Sequence, residues 1–390
     1  MIALSPTNEA EASAFIADAA SAHRPLELAG GGSRRGLGRP VQAAATLSSR
    51  ALTGITLHEP AELVIGARAG TPLADLTAAL DAKDQMLAFE PPDWRALTGT
   101  ADLTPTVGGL VATNGSGPRR IMSGACRDAL IGVRFVNGKG EALSSGGRVM
   151  KNVTGYDLVK LMAGSHGTLG FVTEATFKVV PKPERTATLV WSGLDEARAV
   201  AAMSQGLGSP FEVSAAAFVP QQPGQPSQTL LRLENFAASL VYRIDRLARE
   251  LQSFGKPDIL DNDASLGLWA SIRDAAPLHG VDGAIWRISV APSRSPSFLR
   301  AIASETIRHF LDWGGGLVWL ATAQTDGAAE VVQNAARAVG GHATLVHAAP
   351  MLRSNFAFMP PSSAGLARLM ARVREAMDPH SILNPGRMGV

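Results

Sequence analysis

Residues 28–38, LAGGGSRRGLG, contain three consecutive glycines followed by a serine and two arginines. Glycine lets backbone N–H groups approach a phosphate closely, and Ser33 adds a hydroxyl. Neither common phosphate motif fits, because Arg35 stands where G-x-G-x-x-G counted from Gly30 needs glycine, and Leu37 stands where a P-loop needs lysine. Two interpretations stay open for this stretch alone: a nest of backbone donors for phosphate, and a tight turn between strands.

A second glycine-rich stretch, residues 104–120 (TPTVGGLVATNGSGPRR), places short polar side chains among glycines. Thr106 and Asn114 can line a flat, polar ring system while the glycines keep side-chain bulk away. A surface Ω-loop is the alternative, but the apolar residues of this stretch favour burial. We therefore expect a wall for a planar cofactor, and we expect the paired Arg119 and Arg120 to be solvated.

Two further glycine stretches precede a β-prone run. Residues 151–157 (KNVTGYD) surround Gly155, and their Tyr156 is expected to be a core aromatic residue whose hydroxyl finds a partner. In residues 164–170 (GSHGTLG) the glycines are three apart, which lets the backbone come close to a thin neighbouring group. His166 is expected to form hydrogen bonds rather than to bind metal, because no Cys or His lies at ligand spacing.

The surrounding segments indicate the elements that position these loops. Apolar spacing predicts a helix within the first 20 residues, and a strand over PLELA leads into the first glycine loop. Thr71 is the expected N-cap of a helix with Pro72 at its first position. Beyond the PKPE turn, strands and helices alternate: strands over 186–191, 228–235, 284–290, 316–323 and 342–348, and helices over 194–206, 236–254, 295–311, 327–338 and 363–377.

The later strands alternate between apolar and polar residues, which favours an antiparallel sheet with helices on one side. We predict an α+β protein with a first domain at 1–185, a second at 186–377, and a segment at 378–390 that returns to the first domain.

Composition limits the class of protein. The chain has 390 residues, 46% of them hydrophobic, and a net charge of +2, which fits a globular protein and gives no reason to expect nucleic acid or an anionic membrane as partner. The single cysteine excludes an intrachain disulfide and an iron–sulfur cluster held by this chain alone. We see neither a signal peptide nor an apolar run long enough to span a membrane. A cytoplasmic protein is expected, peripheral at the inner membrane through partners if attached at all.

Taken in order, six motifs resemble the FAD-binding domain of the vanillyl-alcohol-oxidase and p-cresol-methylhydroxylase type of flavoprotein. They are the glycine loop 30–33, FEPPD at 89–93, residues 106–120, GYDLVKL at 155–161, residues 164–183 and DPHSILNPGRM at 378–388. Within that family the chain is most similar to the smaller FAD-binding subunits of bacterial glycolate-oxidising complexes. The resemblance covers residues 1–185 and 378–388.

The resemblance implies a two-subdomain FAD-binding domain of the p-cresol-methylhydroxylase type, followed by a cap domain with an antiparallel sheet covered by helices. The implied FAD contacts are the pyrophosphate loop Gly30, Gly31, Gly32 and Ser33, a second stretch with Pro92, Thr106, Gly108, Gly109, Asn114 and Gly117, and adenine-side backbone at Gly167, Gly170 and Val172. The glycine loop carries Ser33 where covalent members carry histidine, so non-covalent FAD is expected. The implied partners are a larger FAD-binding subunit, an iron–sulfur subunit and a small 2-hydroxy acid.

One departure from the family affects the chemistry. Related dehydrogenases carry a HxGDGNxH-like stretch in the cap domain, whereas this chain has LVHAAP with His347 and no nearby acid. No metal site is therefore predicted, and no catalytic residue is assigned. Arg287, His347 and Arg353 could bind a carboxylate and take a proton, but Arg287 paired within the sheet and Arg353 facing solvent are equally expected.

Three functions stay open at this point. The chain could be a catalytic subunit of a glycolate-oxidising complex or a flavin-bearing subunit whose larger homologous partner does the chemistry. It could also be a stand-alone FAD-dependent oxidoreductase for another 2-hydroxy acid, such as D-lactate.

Overall fold

The computed structural model describes residues 2–147, 155–356 and 363–389. The chain divides into two compact units: the first comprises Met1–Ser116, Gly124–Pro181 and Ala357–Val390, and the second Gly117–Ser123 and Lys182–Phe356. These bounds differ from the predicted domains in three places. The main boundary follows Pro181 rather than residue 185, the short segment 117–123 belongs to the second unit, and the helix predicted at 363–377 belongs to the first.

Helices and strands of the described residues are numbered separately along the chain. The helices are α1 (Glu9–Ser21), α2 (Leu73–Asp81), α3 (Arg95–Thr98), α4 (Val107–Thr113), α5 (Arg120–Ser123), α6 (Cys126–Ala129), α7 (Leu158–Met162), α8 (Glu196–Leu207), α9 (Ala237–Glu250), α10 (Asn262–Arg273), α11 (Ser295–Ala301), α12 (Asp326–Ala338), α13 (Pro350–Asn355) and α14 (Ala364–Met377). The strands are β1 (Ile2–Leu4), β2 (Leu26–Ala29), β3 (Ala45–Ser48), β4 (Ile55–Glu59), β5 (Val64–Arg68), β6 (Gln85–Met86), β7 (Leu130–Val136), β8 (Ala142–Gly146), β9 (Phe171–Lys178), β10 (Val180–Pro181), β11 (Arg185–Ser192), β12 (Ala215–Val219), β13 (Gln228–Asn235), β14 (Asp258–Leu260), β15 (Ala284–Ser289), β16 (Thr306–Asp312), β17 (Leu317–Thr322) and β18 (His342–His347).

The first unit contains two principal sheets. The strands β1, β3 and β2 form a parallel sheet in that order, and β4, β5, β9, β7 and β8 form an antiparallel sheet. The helix α1 begins at its N-cap Asn8, whose side chain accepts a hydrogen bond from the N–H of Glu11, and it buries Ala12 and Ile16. Buried Leu26 and Leu47 share the apolar cluster that α1 packs against, which fixes the strand β2 that leads into the glycine loop.

The second unit is built on an eight-stranded sheet in the order β14-β11-β13-β12-β16-β17-β15-β18, with antiparallel pairing throughout. One face buries Trp191, Leu231 and Trp286 in a cluster that also contains the helix residues Leu240 and Leu247 of α9. These side chains follow the expected alternation of a strand and the 3.6-residue period of a helix. The predicted antiparallel sheet covered by helices is therefore confirmed.

Several local predictions were wrong. Residues 295–311 are not one helix, because α11 ends at Ala301 and the chain continues as β16, whose buried Phe310 and Leu311 pair with β17. The helix α10 was not predicted, and its Trp269 donates to Thr188 on the opposite face of the sheet. Tyr156 is 91% exposed rather than in the core. Residues 148–154, which include all of KNVT, lie outside the described residues.

Helix starts were also displaced. The N-cap of α2 is Pro72 rather than Thr71. Residues 104–120 are not a continuous loop, because Thr106 caps the short helix α4 by accepting a hydrogen bond from the N–H of Gly109. None of the helices in the described ranges has the length and apolarity needed to cross a membrane.

Candidate functional site

A cleft opens in the first unit beside the glycine loop. Its walls come from the end of β2, the loop that follows, the start of α4, the segment leading into β9, and the C-terminal segment. Ten of the thirteen predicted cofactor residues line it: Gly30, Gly31, Gly32, Ser33, Thr106, Gly108, Gly109, Gly167, Gly170 and Val172. The structure therefore gathers loops separated by more than seventy residues, while contact of these residues with a cofactor stays a prediction.

The glycine loop is held by its carbonyl groups. The carbonyl of Gly30 accepts a hydrogen bond from Ser48 Oγ (3.4 Å), and that of Gly31 accepts one from Arg50 Nη2 (2.9 Å). In a trans peptide the N–H points away from the C=O. The N–H groups of Gly31 and Gly32 consequently point away from the two anchoring side chains, which is the arrangement that a nest of donors requires.

Steric limits explain why this loop needs glycine. A Cβ on Gly30 would lie 2.2 Å from Thr106 Oγ1, and a Cβ on Gly31 would lie 1.8 Å from the carbonyl oxygen of Thr104. Gly32 has a φ of +91°, which favours glycine. The first glycine loop thus packs directly on the residues that precede α4, and this contact joins the two predicted stretches in one site.

The C-terminal segment ties two walls of the cleft together. Asn384 Oδ1 accepts a hydrogen bond from the N–H of Leu28 (2.8 Å), and Asn384 Nδ2 donates to the carbonyl of His166 (2.8 Å). Arg387 Nη1 donates to the carbonyls of Arg35 (2.9 Å) and Leu37 (3.0 Å). Sequence reasoning matched DPHSILNPGRM as a motif but assigned no role to its residues, and these side chains were missed.

The two adjacent arginines of the loop have different surroundings. Arg35 forms an ion pair with Glu27. Arg34 donates from Nη2 to the carbonyl of Pro92 (2.9 Å), and its guanidinium lies 5.1 Å from the centre of the Trp94 ring. Its Nη1 is buried and has no hydrogen-bond partner among the described residues. Burial lowers the pKa of Arg34 to about 10, so the group stays charged at neutral pH.

His166 is the titratable base of the cleft. Burial, together with the positive charges of Arg387 and Arg34, lowers its pKa to about 3. The imidazole is therefore neutral at pH 7, and its backbone has a φ of +51°. Within the described ranges, no group of three or more His, Cys, Asp or Glu side chains is arranged to hold a metal ion.

Three predicted residues do not belong to the cleft lining described above. The carbonyl of Pro92 accepts a hydrogen bond from Arg34, which lines the cleft, so Pro92 contacts a lining residue rather than the cleft itself. Asn114 ends α4 with a φ of +48°, and its Oδ1 accepts a hydrogen bond from the N–H of Arg127 (2.9 Å). Gly117 lies in the second unit, where its carbonyl accepts a hydrogen bond from Trp313 Nε1 (3.1 Å).

The second unit holds the side chains considered for a carboxylate. The guanidinium of Arg287 lies over two tryptophan rings, 5.3 Å from the ring centre of Trp313 and 5.4 Å from that of Trp319. Burial, followed by the charge of Arg353, lowers the pKa of His347. Arg353 is half-buried rather than facing solvent, and burial lowers its pKa as well.

The chain is similar to known proteins both in the part that forms the cleft and along its full length. The family described as "FAD binding domain" matches residues 2–146. The glycolate oxidase subunit GlcE of Escherichia coli (strain K12) is 36% identical over 374 residues, which are 96% of this chain and 95% of that protein. The glycolate oxidase subunit GlcD of Bacillus subtilis (strain 168) is 32% identical over 188 residues, 48% of this chain and 38% of that protein.

A solved structure extends the likeness to the fold. The 4-ethylphenol oxidase from Gulosibacter chungangensis superposes with a TM-score of 0.74 at 14% identity, covering 100% of this chain and 89% of that one. Fold and cleft together define an FAD-binding oxidoreductase of the vanillyl-alcohol-oxidase and p-cresol-methylhydroxylase type. Within that class the chain belongs to the family that contains the glycolate oxidase subunit GlcE.

The cleft fits the FAD of this family. A pyrophosphate needs several donors at close range and a positive charge, and the cleft offers the N–H side of the glycine loop, the hydroxyl of buried Ser33 and the guanidinium of Arg34. Positions such as Gly31 and Gly108, where a Cβ would lie 1.8 Å and 2.9 Å from neighbouring atoms, keep the walls thin. FAD is accordingly the cofactor of this chain.

Proposed function

We propose that this chain is the FAD-binding subunit of a multi-subunit dehydrogenase that oxidises glycolate, a 2-hydroxy acid, to glyoxylate. The observation that carries the proposal is the 36% identity to the GlcE subunit along nearly the full length of both chains. The glycine-walled cleft of the first unit supports it independently, because ten predicted cofactor residues line that one space.

The chain's residues would hold FAD without a covalent bond. Gly30 to Ser33 would face the pyrophosphate, and Gly167, Gly170 and Val172 the adenine side. Ser33, not histidine, stands in the glycine loop, so no imidazole is present there to tether the flavin. Once bound, FAD supplies the acceptor for a hydride equivalent from the hydroxyl-bearing carbon, while the protein supplies orientation and electrostatics.

Electrons would leave through partner chains. The one cysteine of the sequence, Cys126, is buried, and burial raises the pKa of its thiol to about 12. An iron–sulfur cluster needs several thiolates, so we assign it to a separate subunit. A larger FAD-binding subunit is the second proposed partner, in line with the similarity to a protein named as subunit GlcD. We propose that any attachment to the inner membrane is made through these partners.

A second candidate is a flavin-bearing subunit whose larger homologous partner carries out the oxidation. One observation favours it. The D-lactate dehydrogenase of Anaerostipes hadrus is 38% identical over only 34% of this chain, so the similarity to a relative named as a dehydrogenase is partial. In the second unit, the residues considered for substrate are limited to Arg287, His347 and Arg353.

One experiment separates the candidates. The purified chain is reconstituted with FAD, its visible spectrum is recorded, and glycolate or D-lactate is added without oxygen. Bleaching of the flavin in the lone chain supports a catalytic subunit, and recovery of an iron–sulfur partner from native extract excludes a stand-alone enzyme. Flavin that is reduced only after the partner subunits are added supports the second candidate. Failure to bind FAD contradicts both.

A further inference from the structure

We propose that Arg34 is the residue that supplies positive charge to an anionic oxygen of bound FAD. This inference rests on the proposed FAD site and assigns a role to one side chain within it. The predicted cofactor residues of the cleft contribute backbone groups and hydroxyls. Three arginines also line it, and two of them, Arg35 and Arg387, pair with Glu27, which leaves Arg34.

Arg34 lines the cleft, and contacts with the protein fix its guanidinium. Its Nη2 donates to the carbonyl of Pro92 (2.9 Å), and the ring of Trp94 supports the guanidinium at 5.1 Å. A Cβ built on Gly115 would lie 3.1 Å from Nη1, which places that nitrogen against the glycine-rich stretch after α4. Buried Nη1 has no hydrogen-bond partner among the described residues. Buried donors left without a partner are uncommon and indicate a missing ligand or a functional group.

The two groups whose charges act on Arg34 do not neutralise it. The carboxylate of Asp93 is engaged by Arg95, with Nε to Oδ1 at 2.9 Å and Nη2 to Oδ2 at 2.7 Å. The thiol of Cys126 is neutral, because burial raises its pKa to about 12. The charge of Arg34 thus lies in the cleft wall without a dedicated carboxylate among the described residues, and an anionic ligand would complete its coordination.

The neighbouring arginine does not share this role. Arg35 pairs with Glu27, which also lies 3.3 Å from Arg387 Nη2, so its charge is matched by an acid of the protein. The sequence SRR cannot separate the two residues, whereas the structure does. Arg34 and Arg35 both line the cleft, but Arg35 forms an ion pair with Glu27, whereas Arg34 donates to the carbonyl of Pro92 and keeps a buried Nη1 without a partner among the described residues.

Two parts of FAD carry the required chemistry: the pyrophosphate oxygens, which are always anionic, and the ring, which gains negative charge when it is reduced. An arginine near the first strengthens binding of oxidised FAD and of any pyrophosphate ligand. An arginine near the second raises the reduction potential and leaves the affinity for oxidised FAD nearly unchanged. Both sources involve an anionic oxygen of the same cofactor, and measurement distinguishes them.

The test compares Arg34→Met and Arg34→Lys with the control Arg24→Met, which removes a surface arginine that pairs with Asp18. Affinities of the apoprotein for FAD, ADP and riboflavin are measured by fluorescence and calorimetry, together with the reduction potential of the bound flavin. For a pyrophosphate contact, Arg34→Met weakens FAD and ADP at least about tenfold, riboflavin is unaffected, and Arg34→Lys recovers part of the loss. For a contact to the reduced ring, the potential falls and ADP affinity is unchanged.

The melting temperature of the apoprotein distinguishes binding from folding. A ligand-binding cation is an unsatisfied charge in the apoprotein, so Arg34→Met should leave this temperature unchanged or raise it while FAD binding or the potential suffers. A purely structural arginine would lower it. Unchanged FAD affinity and unchanged potential in Arg34→Met, or a lowered melting temperature that accounts for the binding loss, would overturn the inference. If the wild-type chain itself fails to bind FAD, the proposed function fails first.

Discussion

Arg232 of the second unit is a buried residue and Arg34 of the first unit has a buried Nη1, and the surroundings of the two side chains differ. In the sheet of the second unit, Arg232 Nε lies 3.4 Å from Glu234 Oε2 and donates to Ser214 Oγ (3.0 Å), and its guanidinium lies over Trp269. In the cleft of the first unit, Arg34 keeps one buried nitrogen for which the described residues offer no partner. A charge matched by protein groups serves the fold, whereas a charge left open on a glycine-walled cleft is available to a ligand.

The largest expected effect is in the second unit. Glu234 lies 3.4 Å from both Arg119 Nε and Arg232 Nε, and all three side chains are less than one-tenth exposed, so the prediction that Arg119 is solvated was wrong. Glu234→Gln leaves two buried cations beside a neutral amide, which we expect to lower the free energy of unfolding by about 3–5 kcal/mol. Urea denaturation followed by tryptophan fluorescence measures it.

A surface acid provides the matched control. Glu212 pairs with Arg243, and its side chain is 64% exposed, so Glu212→Gln should cost no more than about 1 kcal/mol. Equal costs for the two variants would mean that the buried cluster is not the compensated charge that the comparison requires.

The next largest effect is expected from a substitution in the glycine loop of the first unit. A Cβ on Gly31 meets the backbone oxygen of Thr104 at 1.8 Å, so Gly31→Ala must move one of two backbone segments. We expect about 1–3 kcal/mol of overpacking, expressed as a roughly 10–100-fold loss of FAD affinity. Gly36→Ala is the control in the same loop, because its Cβ would be 4.0 Å from Thr98, an ordinary contact. Similar FAD affinities for the two variants would show that the loop is not the binding wall.

A smaller loss is expected from the C-terminal segment. Asn384→Ala removes the acceptor for the N–H of Leu28 and the donor for the carbonyl of His166. Leaving such groups unmatched costs about 1–2 kcal/mol, so FAD affinity should fall by about 5–30-fold. Asn384→Asp keeps the acceptor and loses the donor, and its FAD affinity should lie between those of wild type and Asn384→Ala. An unchanged affinity in Asn384→Ala would mean that the tail does not position the cleft.

Sequence reasoning found the cleft because glycine demand is local. Positions such as Gly31 and Gly108 are glycine since their own backbone meets a neighbour, and that requirement appears in the sequence as a dense glycine run. The role of Arg34 was not readable in this way. Its difference from Arg35 depends on Trp94 and Glu27, which approach from other parts of the chain.

The second unit shows the same limit for secondary structure. Strands such as β11 and β17 were predicted from their apolar character, which reflects burial on the sheet. The strand β16 was predicted as the end of a helix, because its pattern TIRHFLD does not alternate strictly. Pairing of Phe310 with Trp319 and of Leu311 with Val318 and Phe218 selects the strand, and these partners are supplied only by the folded sheet.

The smallest effect concerns the pH dependence of the cleft. The pKa of His166 is about 3 in the folded protein against an ordinary 6.5. Above pH 6.5 both folded and unfolded chains are neutral at this group, and its full contribution to stability is present. As the pH falls below 6.5, the unfolded chain binds a proton that the folded chain does not, so stability is lost progressively toward pH 3. Between pH 7 and pH 5.5 the expected loss is about 1 kcal/mol.

A substitution separates the contribution of His166 to the pH dependence from those of the other histidines. Burial also lowers the pKa values of His342 and His347 in the second unit, so the wild-type profile contains their contributions too. In His166→Asn, the loss of unfolding free energy between pH 7 and pH 5.5 should be smaller than in wild type by about 1 kcal/mol. Asparagine suits this position because it tolerates the φ of +51°. His23→Asn, at an exposed position with a φ of +48°, is the matched control.

Bound FAD should change the pKa of His166, because His166 lines the cleft. An anion placed beside Arg34 offsets part of the positive charge that, after burial, holds the pKa of His166 down. Between about pH 5 and pH 3, where the folded group begins to bind a proton, the pH dependence of the FAD-loaded protein should therefore be shallower than that of the apoprotein, and the difference should vanish in His166→Asn. If stability depends on pH equally with and without FAD, the negative charge of the cofactor lies away from His166. The cleft would then differ from the second unit through Arg34 and not through His166.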